Sequence, residues 1–173
     1  AAFLIVAALI TPGSHVVLRN VGLNPTRTGL LDALRSMGAD IVITHQSQRS
    51  GEPAGDLTVR SSLLHGGQVN RDLVVRMIDE FPAFAVAAAC AQGTTLVQDA
   101  AELRLKESDR ISALCGELRK LGVQAIEHPD GFEIHGGQPF QGGEVDPHGD
   151  HRLAMSLALA GLAAQAPVRV LGA

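Results

Sequence analysis

The feature that most constrains the fold of this 173-residue chain is an internal repeat that runs twice and then stops part-way. Ala1 to Ile10 is an apolar, alanine-rich run halted by Pro12-Gly13. Ser14 to Asn20 then alternates as a strand does, a helix is expected around Thr28–Met37, and Ala39–Ile43 reads as the next strand. The second copy keeps that order. An alanine-rich helix over Pro82–Gln92 ends at Gly93, a strand covers Thr94–Gln98, a helix runs through Leu118–Leu121, and Val123–Ile126 is again strand-like. Leu34-Arg35-Ser36-Met37-Gly38 and Leu118-Arg119-Lys120-Leu121-Gly122 set the register, each closing on the glycine that lets a helix end in a left-handed turn. Short strands finish each unit, Asp56–Arg60 and Gly131–His135, the latter entered through a Pro129-Asp130-Gly131 hairpin turn. A third copy opens with the apolar run after Arg152 and the strand Pro167–Leu171, and the sequence stops at Ala173 before a second helix.

The first helix of each unit is apolar nearly all round, which predicts burial on every side. The second, with Arg35 in one unit and Glu117, Arg119 and Lys120 in the other, is amphipathic and expected to be more exposed. Helices inside and sheets outside invert the usual α/β layering. The composition allows it. With 46% hydrophobic residues, 3% aromatics and no Trp or Tyr, small aliphatic side chains must build the core, and disorder is excluded. Fourteen Lys+Arg against eighteen Asp+Glu give a formal charge of −4, which speaks against a nucleic-acid binder. Cys90 and Cys115 form no disulfide framework or zinc pattern and read as buried free thiols in a reducing compartment. The opening AAFLIVAALI lacks the charged segment and cleavage site of a signal peptide and is too short to span a bilayer, so no membrane association is expected. It begins inside an uncapped helix without a Met, which predicts a chain cut from a longer one.

Three charged constellations fall at helix starts. Asp79 stands just before the buried helix that Pro82 introduces, either as an N-terminal capping carboxylate or as a functional one whose proton affinity is tunable. Lys106 and Arg110 are four apart, hence on one helical face if the helix has begun there, with Glu107 between them. That run is either a solvated ion-pair face or an anion site, since cations at a helix N-terminus oppose the macrodipole unless an anion joins them. Asp150 can cap the third apolar helix and puts Arg152 in its first turn, beside His151. Neither HExxH nor a second half of a ligand set accompanies His148 and His151, so no metal site is expected. If the buried helices run parallel, these starts share one end. The pocket there would be cationic, with carboxylates and one imidazole, and would suit a small doubly anionic substrate and proton transfer without metal.

Those same residues carry a family resemblance. Leu103-Arg104-Leu105-Lys106-Glu107-Ser108-Asp109-Arg110-Ile111 closely resembles the signature of the 5-enolpyruvylshikimate-3-phosphate synthases. Gly149-Asp150-His151-Arg152-Leu153-Ala154-Met155 resembles that family's second C-terminal motif, and Ile78-Asp79-Glu80-Phe81-Pro82 the segment with its catalytic aspartate. AAFLIVAALI and NPTRTGLLDALRSMGADI look like bacterial members. The resemblance implies an α/β fold of repeated units with buried parallel helices and outer sheets, an inside-out α/β barrel whose third unit is incomplete here. Residues 1–173 would then be most of one domain of a two-domain enzyme, with the other domain and the C-terminal tail absent.

The chemistry implied is attack of the 5-hydroxyl of shikimate 3-phosphate on C2 of phosphoenolpyruvate with protonation at C3, then loss of phosphate, without a cofactor. By the same resemblance Asp79 would deprotonate the 5-hydroxyl and touch shikimate 3-phosphate, and Glu107 would exchange the proton at C3. Lys106 would contact shikimate 3-phosphate and the reacting groups, Arg110 and Arg152 would hold the phosphoenolpyruvate anion, and Asp150 and His151 would support them. Glu102 departs from the asparagine of some members. Glyphosate would compete for the phosphoenolpyruvate part, and the location would be cytoplasmic. Two other readings stand beside this one: UDP-N-acetylglucosamine enolpyruvyl transferase, disfavoured by the Lys106-to-Arg110 motif, and a non-catalytic anion-binding domain.

Overall fold

A computed structural model describes residues 1–49 and 51–172. The first unit runs α1 (Ala2–Ile10), β1 (His15–Gly22), α2 (Gly29–Ser36), β2 (Asp40–Arg49) and β3 (Glu52–Arg60). The second runs β4 (Gln68–Val69), α3 (Asp72–Arg76), α4 (Phe81–Cys90), β5 (Gly93–Val97), α5 (Arg110–Lys120), β6 (Gln124–His128) and β7 (Gly131–Gly136). The third holds β8 (Gly143–Val145), α6 (His151–Ala160) and β9 (Val168–Val170).

The repeat is structural as well as sequential. In the first sheet the order is β1-β3-β2 and in the second β4-β5-β7-β6, so in both units the last strand lies between the two before it and antiparallel to each, with β4 added in parallel at the edge of the second sheet. Both second helices end alike: Gly38 and Gly122 have φ of +96° and +85°, and Leu34 and Leu118 carbonyls accept from Ala39 and Val123 at 3.1 and 3.0 Å. Arg35 and Arg119, equivalent in the repeat, donate from Nε to the carbonyls of Ile41 and Ala125, tying each helix to the strand that follows. The first-unit strands are longer than their alternation predicts. Bulges with positive φ at Asn20 and His45 interrupt the period, and Asp56 holds both, accepting from Asn20 N at 2.8 Å and pairing with His45 Nδ1 at 3.2 Å.

The core is centred on α4, whose residues Phe81 through Ala89 are all buried. Phe81 meets Phe84 and Phe132 edge to face at 6.3 and 6.1 Å, and alanines on the rest of the helix let α1, α6 and β7 approach closely. Gly136 ends β7 against this helix; a Cβ there would lie 2.3 Å from the Ala88 carbonyl oxygen. Burial on every side, expected of all three first helices, holds for α4 alone. α1 buries Ile5, Val6, Ala8 and Leu9 but exposes Leu4, and α6 buries Leu153, Ser156, Leu157 and Ala160 but exposes Met155. The reason is position: all three helices touch one another, and α4 is further covered by β7, whereas the sides of α1 and α6 that carry Leu4 and Met155 are left open.

Both cysteines are free, Cys115 buried and Cys90 partly so, and burial pushes both thiols up to about 11. Glu117 corrects the amphipathic reading of α5. It is buried, and its carboxylate accepts from Lys120 Nζ at 2.8 Å and Asp146 N at 2.9 Å while pairing with His148 Nε2 at 2.8 Å. Burial alone would raise this carboxyl; those donors outweigh it and hold it below the ordinary range. The effect is to fasten the 146–148 turn, two residues before Asp150, to the side of α5.

Candidate active site

Five helix starts meet at one end of the molecule. Ala1 and Ala2, at the head of α1, line a cavity of about 140 Å³ together with Glu80 at the head of α4 and Arg27 and Thr28 before α2. Arg152, in the first turn of α6, reaches the Asp79 carbonyl with Nη1 at 3.4 Å. Arg110, the first residue of α5, lies against Asp150, the N-cap of α6. Each N-terminus adds partial positive charge to a common space.

Arg110 is the hub. Its side chain is 2% exposed, and each edge of the guanidinium faces a different carboxylate. Nε donates to Asp150 Oδ2 at 2.6 Å, Nη2 donates to Glu107 Oε2 at 2.7 Å, and Nη1 lies 3.7 Å from Asp79 Oδ1, too long for a hydrogen bond. Nη1 is buried and, among the described residues, has no hydrogen-bond partner. Asp150 also caps α6, accepting at Oδ1 from Arg152 N at 2.9 Å and Leu153 N at 3.2 Å. Burial would raise the Asp150 carboxyl, but Arg110 and the two backbone donors prevail and lower it. Burial likewise opposes the charge on Arg110, and Asp150 with Glu107 more than restores it.

Asp79 does not cap α4. The helix begins at Phe81, its N-cap is Glu80, and no side chain closes that end. Instead the Asp79 carboxylate is ringed loosely by guanidinia: Oδ2 lies 3.4 Å from Arg27 Nη2 and 3.6 Å from Arg152 Nη2, with Arg110 beyond Oδ1. Beside it, burial raises the Glu80 carboxyl against the lowering effect of Arg27, and Glu80 Oε2 has no hydrogen-bond partner.

Lys106 differs from expectation. α5 has not begun at that point, since a short 3-10 turn over Ala101–Leu105 leads into an extended Lys106, so Lys106 and Arg110 do not share a helical face. Its Nζ instead donates to Glu102 Oε1 at 2.9 Å. His151, exposed at the head of α6, places Nδ1 3.7 Å from Glu107 Oε2. Glu107, Asp150 and His151 offer ligand atoms within 4.8 Å of one another. Both Asp150 oxygens are already engaged, and a guanidinium touching two of the three groups repels a dication, so the set suits an ion-pair cluster.

Two residues of consequence were not singled out from the sequence. Arg27 comes from the first unit, inside the NPTRTG stretch but outside the three charged constellations. Arg104, inside the Leu103–Ile111 motif, pairs with Asp109 at 2.8 Å and Glu127 at 2.9 Å and donates to the His128 and Pro129 carbonyls, anchoring the Lys106–Asp109 segment to the β6–β7 hairpin. No spacing signals most of these contacts, because the partners (Asp79 and Glu80 for Arg27, Glu127 and the His128 and Pro129 carbonyls for Arg104) lie in other elements, far along the chain.

A family model described as EPSP synthase (3-phosphoshikimate 1-carboxyvinyltransferase) matches residues 1–173. The chain belongs to the EPSP synthase family. A 3-phosphoshikimate 1-carboxyvinyltransferase of Synechococcus sp. (strain JA-3-3Ab) is 56% identical over 173 residues, covering 100% of this chain and 39% of the relative. One from Geobacter sp. (strain M21) is 54% identical over 170 residues, covering 98% of this chain and 40% of the relative. The solved EPSP synthase of Acinetobacter baumannii superimposes with a TM-score of 0.96 at 44% identity, over 99% of this chain and 40% of that one. The inside-out α/β architecture is therefore that of an EPSP synthase, and the chain spans about two fifths of the length of the relatives it matches.

Proposed function

We propose that the full-length protein carrying this chain is a 3-phosphoshikimate 1-carboxyvinyltransferase, and that residues 1–173 supply most of one of its two domains. The observation that carries the reading is the unpartnered, buried Nη1 of Arg110, which faces the space bordered by Asp79 while Glu107 holds the other end of the same guanidinium. An anion met there lies between two carboxylates, one positioned to take a proton and one to give it.

Phosphoenolpyruvate binds with its anionic end toward Arg110 Nη1 and Arg152, whose contacts to Asp79 at 3.4 and 3.6 Å are loose enough to be exchanged for a charged ligand. Lys106, able to leave the exposed Glu102, adds a point charge from the side. Asp79 accepts the proton of the 5-hydroxyl of shikimate 3-phosphate as the oxygen attacks C2. Glu107 delivers a proton to C3, so the adduct carries no net new charge. Collapse of the adduct returns the C3 proton to Glu107 and expels phosphate, which carries away the proton taken up by Asp79, leaving the enolpyruvyl ether and both acids as they began. Asp150 and His151 act through their neighbours, Asp150 by locking Arg110 and capping α6, His151 by flanking Glu107.

The names of the relatives favour shikimate 3-phosphate over UDP-N-acetylglucosamine as acceptor, as does the Lys106-to-Arg110 motif. The protein is read as cytoplasmic with soluble substrates; among the described residues no helix is long and apolar enough to cross a membrane. The test is acceptor choice in the full-length protein. Phosphate should be released from phosphoenolpyruvate with shikimate 3-phosphate and not with UDP-N-acetylglucosamine, and the reverse result would transfer the chain to the other enolpyruvyl reaction.

A further inference from the structure

Arg27 touches the centre of the site, yet none of the roles above uses it. Its Nη2 lies 3.4 Å from Asp79 Oδ2 and 4.0 Å from Glu80 Oε1. The turn beneath it is tightly built. Asn24 Oδ1 accepts from Thr26 N at 3.0 Å and Thr26 Oγ1 at 2.8 Å, and Arg76 donates from Nε to the Pro25 carbonyl at 2.7 Å. Arg76 Nη2 also donates to Thr28 Oγ1 at 3.0 Å and pairs with Asp32 at 2.6 Å, so the backbone on both sides of Arg27 is pinned to α3 and α2. A fixed backbone aims one exposed guanidinium at two adjacent carboxylates.

We propose that Arg27 is a positioning residue for Asp79, holding the Oδ2 side of the carboxylate so that Oδ1 is left to face the acceptor hydroxyl. This rests on the reading of Asp79 as the base. The argument is one of exchange. Arg152 shares Oδ2 with Arg27, but Arg152 is the cation drawn toward an arriving anion, and Arg110, whose Nε and Nη2 are held by Asp150 and Glu107, turns its remaining Nη1 to the same anion. Once substrate is bound, Arg27 is the guanidinium that stays with Asp79. It comes from a different unit than the substrate-facing cations, so it can hold the base without competing for the ligand. Without it, the carboxylate is free to swing about χ1 and χ2 toward Arg110 or Arg152 and to neutralise the groups meant for the anion.

The test compares R27Q and R27K with wild type and D79N in the full-length enzyme, reading kcat and KM for each substrate separately. R27Q should lower kcat by about tenfold or more while KM for phosphoenolpyruvate moves by less than about threefold, and R27K, which keeps the charge, should recover a large part of kcat. Circular dichroism and the thermal midpoint of R27Q should match wild type, since no hydrogen bond of the 24–28 turn uses the Arg27 side chain; a misfolded R27Q leaves the R27K result, where loss equal to D79N overturns the proposal. A rise in KM for phosphoenolpyruvate with kcat intact makes Arg27 a substrate ligand and overturns it, as does wild-type behaviour of R27Q. Failure of the underlying reading looks different: D79N itself would then turn over normally.

Discussion

Arg110 Nε stands 2.6 Å from Asp150 Oδ2, with both side chains closed to solvent. Two buried opposite charges are costly to desolvate, and their attraction repays that cost only when every remaining valence is satisfied. Here Asp150 is also the cap of α6, so one carboxylate neutralises the head of one helix and closes the head of another. Asp150→Ala should therefore lose about 3–5 kcal/mol, the usual result of stranding one buried partner, and this exceeds the roughly 1 kcal/mol of a missing cap alone. Urea unfolding of the variant against wild type checks it; a loss no larger than a cap substitution would mean that water or Glu107 replaces the lost partner.

Acid should weaken the fold in a defined direction. Asp150 and Glu117 both have folded pKa values held below their ordinary ones, Asp150 by Arg110 and backbone donors and Glu117 by Lys120, Asp146 N and His148, each against burial. The unfolded chain thus takes up these protons first as pH falls through about 4, and stability that is fully present above that range is lost below it. Urea midpoints measured from pH 6 to pH 3 should fall steeply at the acid end. Glu117→Gln should be less stable at neutral pH and show a flatter decline, because one of the linked protons has been removed.

The sequence carried much of this. Glycines in matched positions, alternating strands and alanine-rich runs gave the repeat because each is a local pattern, and the start of α6 after Asp150 follows from capping chemistry. What stayed hidden is what depends on partners far along the chain. Glu117 looks like one charge among Arg119 and Lys120, and only the turn over residues 146–148 folding onto it makes it interior. Arg27 sits in a turn whose anchor, Arg76, is 51 residues away from the carbonyl it holds. The strands through Asn20 and His45 lose their alternation at bulges that Asp56 supports from a third strand. Lys106 shares a helical face with Arg110 only if α5 has begun there, and α5 begins four residues later, after a 3-10 turn.

If Asp79 is the base, a substitution that keeps its shape and removes its charge should act on the reaction and little on binding. Asp79→Asn in the full-length enzyme should lower kcat by at least about two orders of magnitude, with KM for phosphoenolpyruvate changing only a few-fold. The neutral amide still fits between Arg27, Arg110 and Arg152, none of which holds the carboxylate closer than 3.4 Å, so gross rearrangement is not expected. Steady-state kinetics with each substrate varied in turn decides it. Turnover near the wild-type rate would remove Asp79 from proton transfer and leave Glu107 as the sole candidate.

The chain tested by itself should behave as a binding surface without a reaction. Arg110, Arg152 and Asp79 line one wall, while enolpyruvyl transfer needs two reactants fixed against each other, and losing that fixation can forfeit about 7–11 kcal/mol of the barrier reduction. Isolated residues 1–173 should release no measurable phosphate from phosphoenolpyruvate with shikimate 3-phosphate, and should bind phosphoenolpyruvate only weakly by calorimetry. The same isolated chain presents Leu4 on α1, Met155 on α6 and Leu162 in the 3-10 turn after α6, exposed apolar groups that favour self-association. Light scattering should show mass rising with concentration. A clean monomer would argue that these side chains fold back over the α1–α6 face, and a native rate of phosphate release would mean that one wall suffices to orient both substrates.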